Sequence, residues 1–369
     1  MKVLLAKRVR LTRALPEHNS LRMRISSYGT LHFVAAENDG GTMTRRSKLA
    51  APLGFLAVAL LLAGCAFGPA ATGNFERTLD VAGPIRLELS DTAGDISIKG
   101  TSDKKVHIHA QVRVSGFGFE SPDRRLAEVI TNPPVEQRGD TIRIGKDFTH
   151  LHNVSISYVI DVPHDTEVSI TVVSGSETIR GLRGPVKVTA VSGSIHVDGI
   201  EREAELSTVS GSIDANNVND DVRASSASGT VSVSNAKGAV SAKALSGSTL
   251  VTNPGGRVEA GTASGSIDVQ GANSDVKAQA ASGRITVRGN PVGNSYWDLK
   301  TASGTVQIAV PRTANFHLSA EAVSGEIRAD IPIVIEEQSK HSLRARMGDG
   351  GGRIEVHTVS GEIQIRGVS

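Results

Sequence analysis

The sequence predicts an all-β chain, most of it a single-chain parallel β-solenoid (β-helix) of about 18 residues per turn, with an irregular N-terminal cap containing one short helix. Three observations predict it. A Ser-Gly pair begins at Ser174 and recurs at Ser192, Ser210, Ser228, Ser246, Ser264 and Ser282, an unbroken spacing of 18. Apolar residues alternate with polar ones on both sides of that pair, as in strands with one buried face. One outward column alternates in charge along Lys187, Glu205, Arg223, then Glu259, Lys277 and Asp298, which is favourable only if residues one repeat apart are neighbours.

The repeat occupies residues 166–335. Six residues before the serine stand Val168, Val186, Val222, Val240, Val258 and Val276, and four before stand Ile170, Val188, Leu206, Ala224 and Ala242. Three after it come Ile195, Ile213, Val231, Ile267 and Ile285, and five after it Ile179, Val197, Val233, Val251, Val269 and Val287. The inward parity is even before the serine and odd after it, so the Ser-Gly pair must turn a corner, a task suited to glycine. Seven after the serine stand Gly181, Gly199, Asn217, Asn235, Asn253 and Gly271, residues that tolerate the left-handed region and mark a second corner. Two short strands cannot bury a face alone, but stacked on identical neighbours at about 4.8 Å they can. The small inner residues predict a narrow, solid lumen. Ser303 and Ser324 continue the array at spacings of 21, and Ser360 follows 36 later, or two periods.

Around this array the remaining segments fall into place. Residues 1–42 form a disordered or misassigned upstream segment, because a signal peptide begins near its start and Met43 is the expected first residue. Residues 43–64 form that signal peptide: Arg45, Arg46 and Lys48 precede an apolar run from Leu49 to Ala63, 15 residues long and short of the roughly 20 that span a bilayer. Residues 65–80 are a small-residue tether. Residues 81–165 are irregular β turns and a cap, with strands near 85–89, 96–98, 106–114, 141–144 and 154–162. A helix starts at Pro122 with Ser121 as its cap. Residues 336–352 are a polar, Gly-rich loop excursion, and 353–369 the final turn.

Composition narrows the function. Aromatic residues are 3%, too few for the stacking platforms of a carbohydrate groove or single-strand channel. One cysteine excludes a disulfide framework and a Cys-based metal cage. The net charge of +2 hides +7 on residues 1–48 and −5 on the rest, so the folded body has no basic excess for nucleic acid.

No constellation points to chemistry. His107 with His109, and His150 with His152, read as outward strand positions lacking further metal ligands. Ten copies of the Ser-Gly serine argue for a corner, not a nucleophile, and no Gly-x-Ser-x-Gly elbow is present. Asp214 and Asp268 share a column but stand three turns apart, about 14 Å. That exceeds the roughly 6.5–9.5 Å of an inverting carboxylate pair. No catalytic, cofactor-binding or metal residue is expected, and no cofactor.

Leu62-Ala63-Gly64-Cys65 resembles a bacterial lipobox, which implies lipidation of Cys65 and cleavage before it. Ala66 follows where an inner-membrane retention signal would have Asp, which favours the outer membrane. Leu87-Glu-Leu-Ser-Asp-Thr-Ala-Gly-Asp-Ile-Ser-Ile98, Ile160-Asp161-Val162-Pro163 and the serial Val-Ser-Gly-Ser-Ile turns resemble a bacterial family of adhesin-like β-strand-repeat domains of unknown function. That resemblance implies an envelope-associated solenoid with no defined catalytic residues. The expectation is a non-enzymatic, lipid-anchored adhesin or scaffold. Its partners are the membrane, through Cys65, and an unidentified protein or surface ligand. The alternatives are a β-helix polysaccharide lyase or hydrolase, with Tyr296-Trp297 and 336–352 as the places for a cleft, and an envelope regulatory or assembly partner. N-terminal peptide mass spectrometry should detect no residue before Met43; any such peptide contradicts that start.

Overall fold

The computed structural model describes residues 70–116, 121–145 and 153–368, and the backbone of 24–25 and 31–32. Two units are distinguished, Met1–Leu62 and Ala63–Ser369. In the first, Arg24–Ile25 pairs antiparallel with Leu31–His32. The signal peptide, Cys65, and His150 and His152 lie outside the described residues.

The second unit is the solenoid. Each rung contributes one strand to a 15-stranded sheet and one to a 14-stranded sheet. From Val168 to Ser282 every ladder is parallel at an offset of 18, as in Val186↔Ala204 and Ile195↔Ile213. The expected inward columns are buried, from Val168, Val188 and Leu206 before the corner to Ile195, Val197 and Ile267 after it. A further buried column, Leu182, Ile200, Val218, Ala236 and Ala272, follows the second corner.

Both corners have the backbone that the sequence demands. Asn217, Asn235 and Asn253 have φ of 54°, 56° and 50°. Their side chains form a ladder, Asn235 Nδ2 donating to Asn217 Oδ1 at 3.2 Å and Asn253 Nδ2 to Asn235 Oδ1 at 3.3 Å. At the Ser-Gly corner the glycines have φ between 133° and 156°, closed to other residues without strain. The same glycines pack backbone on backbone: a Cβ on Gly193 would collide with the Gly175 carbonyl, and one on Gly211 with that of Gly193. The corner N–H donates to the next rung, Gly193 N to Ser210 O at 2.9 Å. Gly94 has φ 143°, so Ala93-Gly94 is an eleventh corner lacking only the serine.

The ends depart from simple winding. The final turn does not follow the Ser324 rung; it inserts before it. Gly352–Ser360 lies between Tyr296–Ser303 and Phe316–Ser324, with Ser360 in register with both Ser303 and Ser324. Ile363–Val368 likewise lies between Val306–Pro311 and Ile327–Asp330. At the other end the first rung, Arg86–Ala93 and Ile96–Thr101, lies between the rung of 167–182 and that of 141–163. Both chain ends of the solenoid are thus internal rungs. Antiparallel strands close three of the four sheet edges, and the fourth ends in the four-residue parallel strand Ile327–Asp330; short edge strands limit edge-to-edge aggregation.

Three segments differ from the sequence reading. The tether is shorter, because Ala71–Asp80 is a strand paired antiparallel with Lys105–Val114. It is held by buried Phe75, edge-on to Tyr158 at 6.4 Å. Gly73 leaves the space that Leu126 and Ile130 of the helix fill: a Cβ there would lie 2.7 Å from Ile130 Cδ1. The 336–352 excursion is not a loop but part of a hairpin, Val334–Gln338 with Ser342–Met347, laid antiparallel on Phe316–Ser324. The helix, Pro122–Thr131, begins at Ser121 as expected, but Ser121 makes no side-chain cap bond.

Gly211→Ala should lower the unfolding free energy by about 2–4 kcal/mol, because it adds both a φ penalty and a backbone clash. Gly83→Ala, which meets no atom within 4 Å, should leave it nearly unchanged. Urea titration followed by circular dichroism measures both.

Candidate functional site: an outward apolar stripe

Strands of the 15-stranded sheet show three residues of each rung to solvent. The first, five before the corner, is the charged column. Lys187 and Glu205 pair at 2.9 Å. Further along, the pairs are not those directly opposed: Arg223 lies nearest Asp221, at 3.7 Å, Glu259 takes Lys243 at 3.0 Å, and Asp298 takes Lys300 at 2.9 Å. That leaves Lys277 without an ion pair among the described residues. The second column, three before the corner, is mostly Thr, Ser and Lys. The third, immediately before the serine, is apolar.

This third column runs Val173, Val191, Val209, Ala227, Leu245, Ala263, Ala281, Ala302, Val359 and Val323 in stacking order. Ordinary alternation would leave it polar, yet Val209 is 54% exposed, Leu245 61% and Val323 72%. With the neighbouring columns it lines a groove of about 1090 Å³ from Ser207 to Val359, with Thr208, Thr262 and Thr301 in its floor. Scattered exposed apolar side chains are ordinary, but a contiguous row marks a binding surface. The sequence reading passed over the row because it adjoins a small inward column. The missed signal was two consecutive apolar positions in one strand period.

The residues weighed for chemistry are dispersed. His107 bonds Asp103 at 3.1 Å and His109 bonds Glu76 at 3.1 Å, both at exposed strand positions. Asp214 pairs with His196 at 3.1 Å, whereas Asp268 faces Arg288 at 3.6 Å. Trp297 is buried and donates its indole N–H to Ser274 O at 2.9 Å; the Tyr296 hydroxyl donates to Glu355 at 2.5 Å. Along the 336–352 hairpin, arginines and carboxylates neutralise one another, as in Arg344–Glu337 at 3.0 Å. Among the described residues no group of three or more His, Cys, Asp or Glu side chains is arranged to hold a metal.

Two acids escaped the sequence reading. Glu177 stands in the column that elsewhere holds Ile, Val or, once, Thr249, in register with Ile96 and Ile195, fully buried, and neither carboxylate oxygen has a hydrogen bond. Burial, with a smaller contribution from the nearby charges of Asp95 and Asp91, pushes its pKa up to about 8. Asp91, in the column two before its corner, is raised to about 7 by burial, against hydrogen bonds from the Thr92 and Ala93 amides. Both sit inside the lumen, sealed from any cleft.

Residues 257–366 match the Toastrack DUF4097 family. Two solved structures are similar to the chain. One is a candidate cell adhesion protein from Clostridium sporogenes, 12% identical, covering 81% of this chain and 100% of its own, at a TM-score of 0.21. The other is a candidate adhesin from Bacteroides fragilis, 13% identical, covering 80% and 97%, at a TM-score of 0.32. No curated protein matches.

Because both acids bind protons more tightly folded than unfolded, they favour the folded state fully only below about pH 4. That contribution is lost as the pH rises to about 8. The loss should be on the order of several kcal/mol for the pair. Glu177→Ile, which restores the column's residue type, should raise the urea midpoint at pH 9 and flatten its decline between pH 5 and pH 9. An unchanged slope would contradict the assignment.

Proposed function

We propose that this chain is a non-enzymatic, lipid-anchored solenoid of the bacterial cell envelope that presents a repeated outward face for adhesion or scaffolding. The observation that carries the reading is the apolar stripe, ten rungs long and unbroken on a sheet face otherwise covered by polar residues. A rigid, periodic surface of this kind is suited to holding an extended or repeating partner, and its energy comes from burying the stripe. Perturbed acids, the usual mark of catalytic groups, here lie in the lumen where no substrate reaches them.

The anchor is Cys65. Only residues 66–70 separate it from Ala71, where the cap strand begins, a reach of at most about 22 Å. The cap is thus held close to the bilayer, the outer membrane by the residue after Cys65, and the solenoid stands off from it.

Metabolic labelling with an alkyne fatty acid should tag the wild-type chain and not Cys65→Ser, and the variant should move from the membrane to the soluble fraction. Labelling that survives Cys65→Ser contradicts the anchor. Release of reducing ends or unsaturated sugars from envelope polysaccharide by the purified chain would replace the binding role with an enzymatic one.

A further inference from the structure

We infer that the outward face of the 15-stranded sheet docks a second copy of this chain, stripe against stripe, with the two solenoids antiparallel about a two-fold axis over Leu245. The inference rests on the reading of this face as a binding surface and names its occupant.

The charges carry it. A two-fold axis lying in the interface, perpendicular to the stacking direction, places each outward column against itself with its rungs reversed. With the axis over the Leu245 rung, Lys187 meets Asp298, Glu205 meets Lys277 and Arg223 meets Glu259 of the mate. All three pairings are opposite in sign, and symmetry doubles them. Lys277, which has no ion pair within 4 Å among the described residues, gains one. Moving the axis half a rung in one direction sets Arg223 on Lys277 and Glu205 on Asp298; moving it half a rung in the other sets Lys187 on Lys277 and Glu205 on Glu259. Along the stripe, the other registers free of like-charge pairs set fewer opposite charges together: an axis between the Glu259 and Lys277 rungs places only Arg223 on Glu355 and Glu259 on Lys277. Lys243 meets its own symmetry mate, but each is neutralised by Glu259 of its own chain at 3.0 Å.

Side-chain size follows the same register. Val191 faces Ala302, Val209 faces Ala281, and Leu245, which meets itself, is flanked by Ala227 and Ala263 that leave it room. Val191 and Val209 thus oppose alanines, while Ala227 faces Ala263 and, at the margin, Val173 faces Val359. The extent suffices as well: the nine rungs from Val173 to Val359 give about 43 Å, and three outward columns about 15 Å. That buries about 650 Å² per copy and about 1,300 Å² in the pair, within the range of specific interfaces.

Cysteine crosslinking of the full chain in detergent, with Cys65→Ser as background, tests the arrangement. Leu245→Cys alone should give a disulfide-linked dimer under mild oxidation. Val209→Cys alone and Ala281→Cys alone should stay monomeric on denaturing gels, whereas an equimolar mixture of the two should crosslink. Leu245→Asp should shift the sedimentation mass from two chains to one with an unchanged circular dichroism spectrum. A single chain at 100-fold the concentration of the assay, or crosslinking by every single cysteine of the stripe, as a parallel pair would give, overturns the inference. A monomer that is still labelled at Cys65 and still retained by envelopes would leave the proposed function intact and remove only this pairing.

Discussion

The structure depends on one contact, the approach of glycine to glycine at the Ser-Gly corner. The backbone there takes φ near 133–156°, and each glycine Cα faces the carbonyl of the rung beside it where a side chain would collide. This closeness lets strands on either side of the corner keep an offset of 18 from rung to rung. Every later property follows from that register. Apolar columns fall on apolar columns, the Asn ladder forms at the second corner, and any outward column becomes a continuous stripe.

A periodic register makes a sequence both legible and ambiguous. The regular rungs from Ser174 to Ser282 could be read residue by residue, because the spacing, the alternation and the turn residues agree. Their order at the ends could not. Ser360 obeys the same period wherever its rung is placed, and nothing local distinguishes stacking beyond Ser324 from insertion between Ser303 and Ser324. The hairpin after Ile333 makes the difference, by turning back over the outside and returning the chain to a vacant rung. Similarly, Ala71–Asp80 resembles a linker in composition, since an edge strand against a helix needs only Ala71, Phe75 and the space at Gly73.

The candidate site was legible only by its departures. The stripe is an exception to alternation at a corner, where the strand bends and two successive residues face outward. Glu177 is the one charged residue in a column of Ile, Val and a single Thr. Both become visible when each column is read for the residue that breaks it, and both lie on the elements whose register was the easiest to predict. The chemistry at these exceptions differs. The stripe offers apolar area to a partner, whereas the buried acids couple the stability of the cap end to proton concentration without reaching the surface.

The most direct test of the architecture is a set of distances between pairs of nitroxide labels, one always at Lys187, in chains diluted with unlabelled protein. Stacking at about 4.8 Å per rung predicts about 19 Å to Glu259, about 34 Å to Glu355 and about 38 Å to Ser319. The order of the last two is the reverse of their distance along the chain. Distances that fail to grow with rung number, or a Glu355 label farther away than Ser319, would contradict the parallel stack and its inserted final turn.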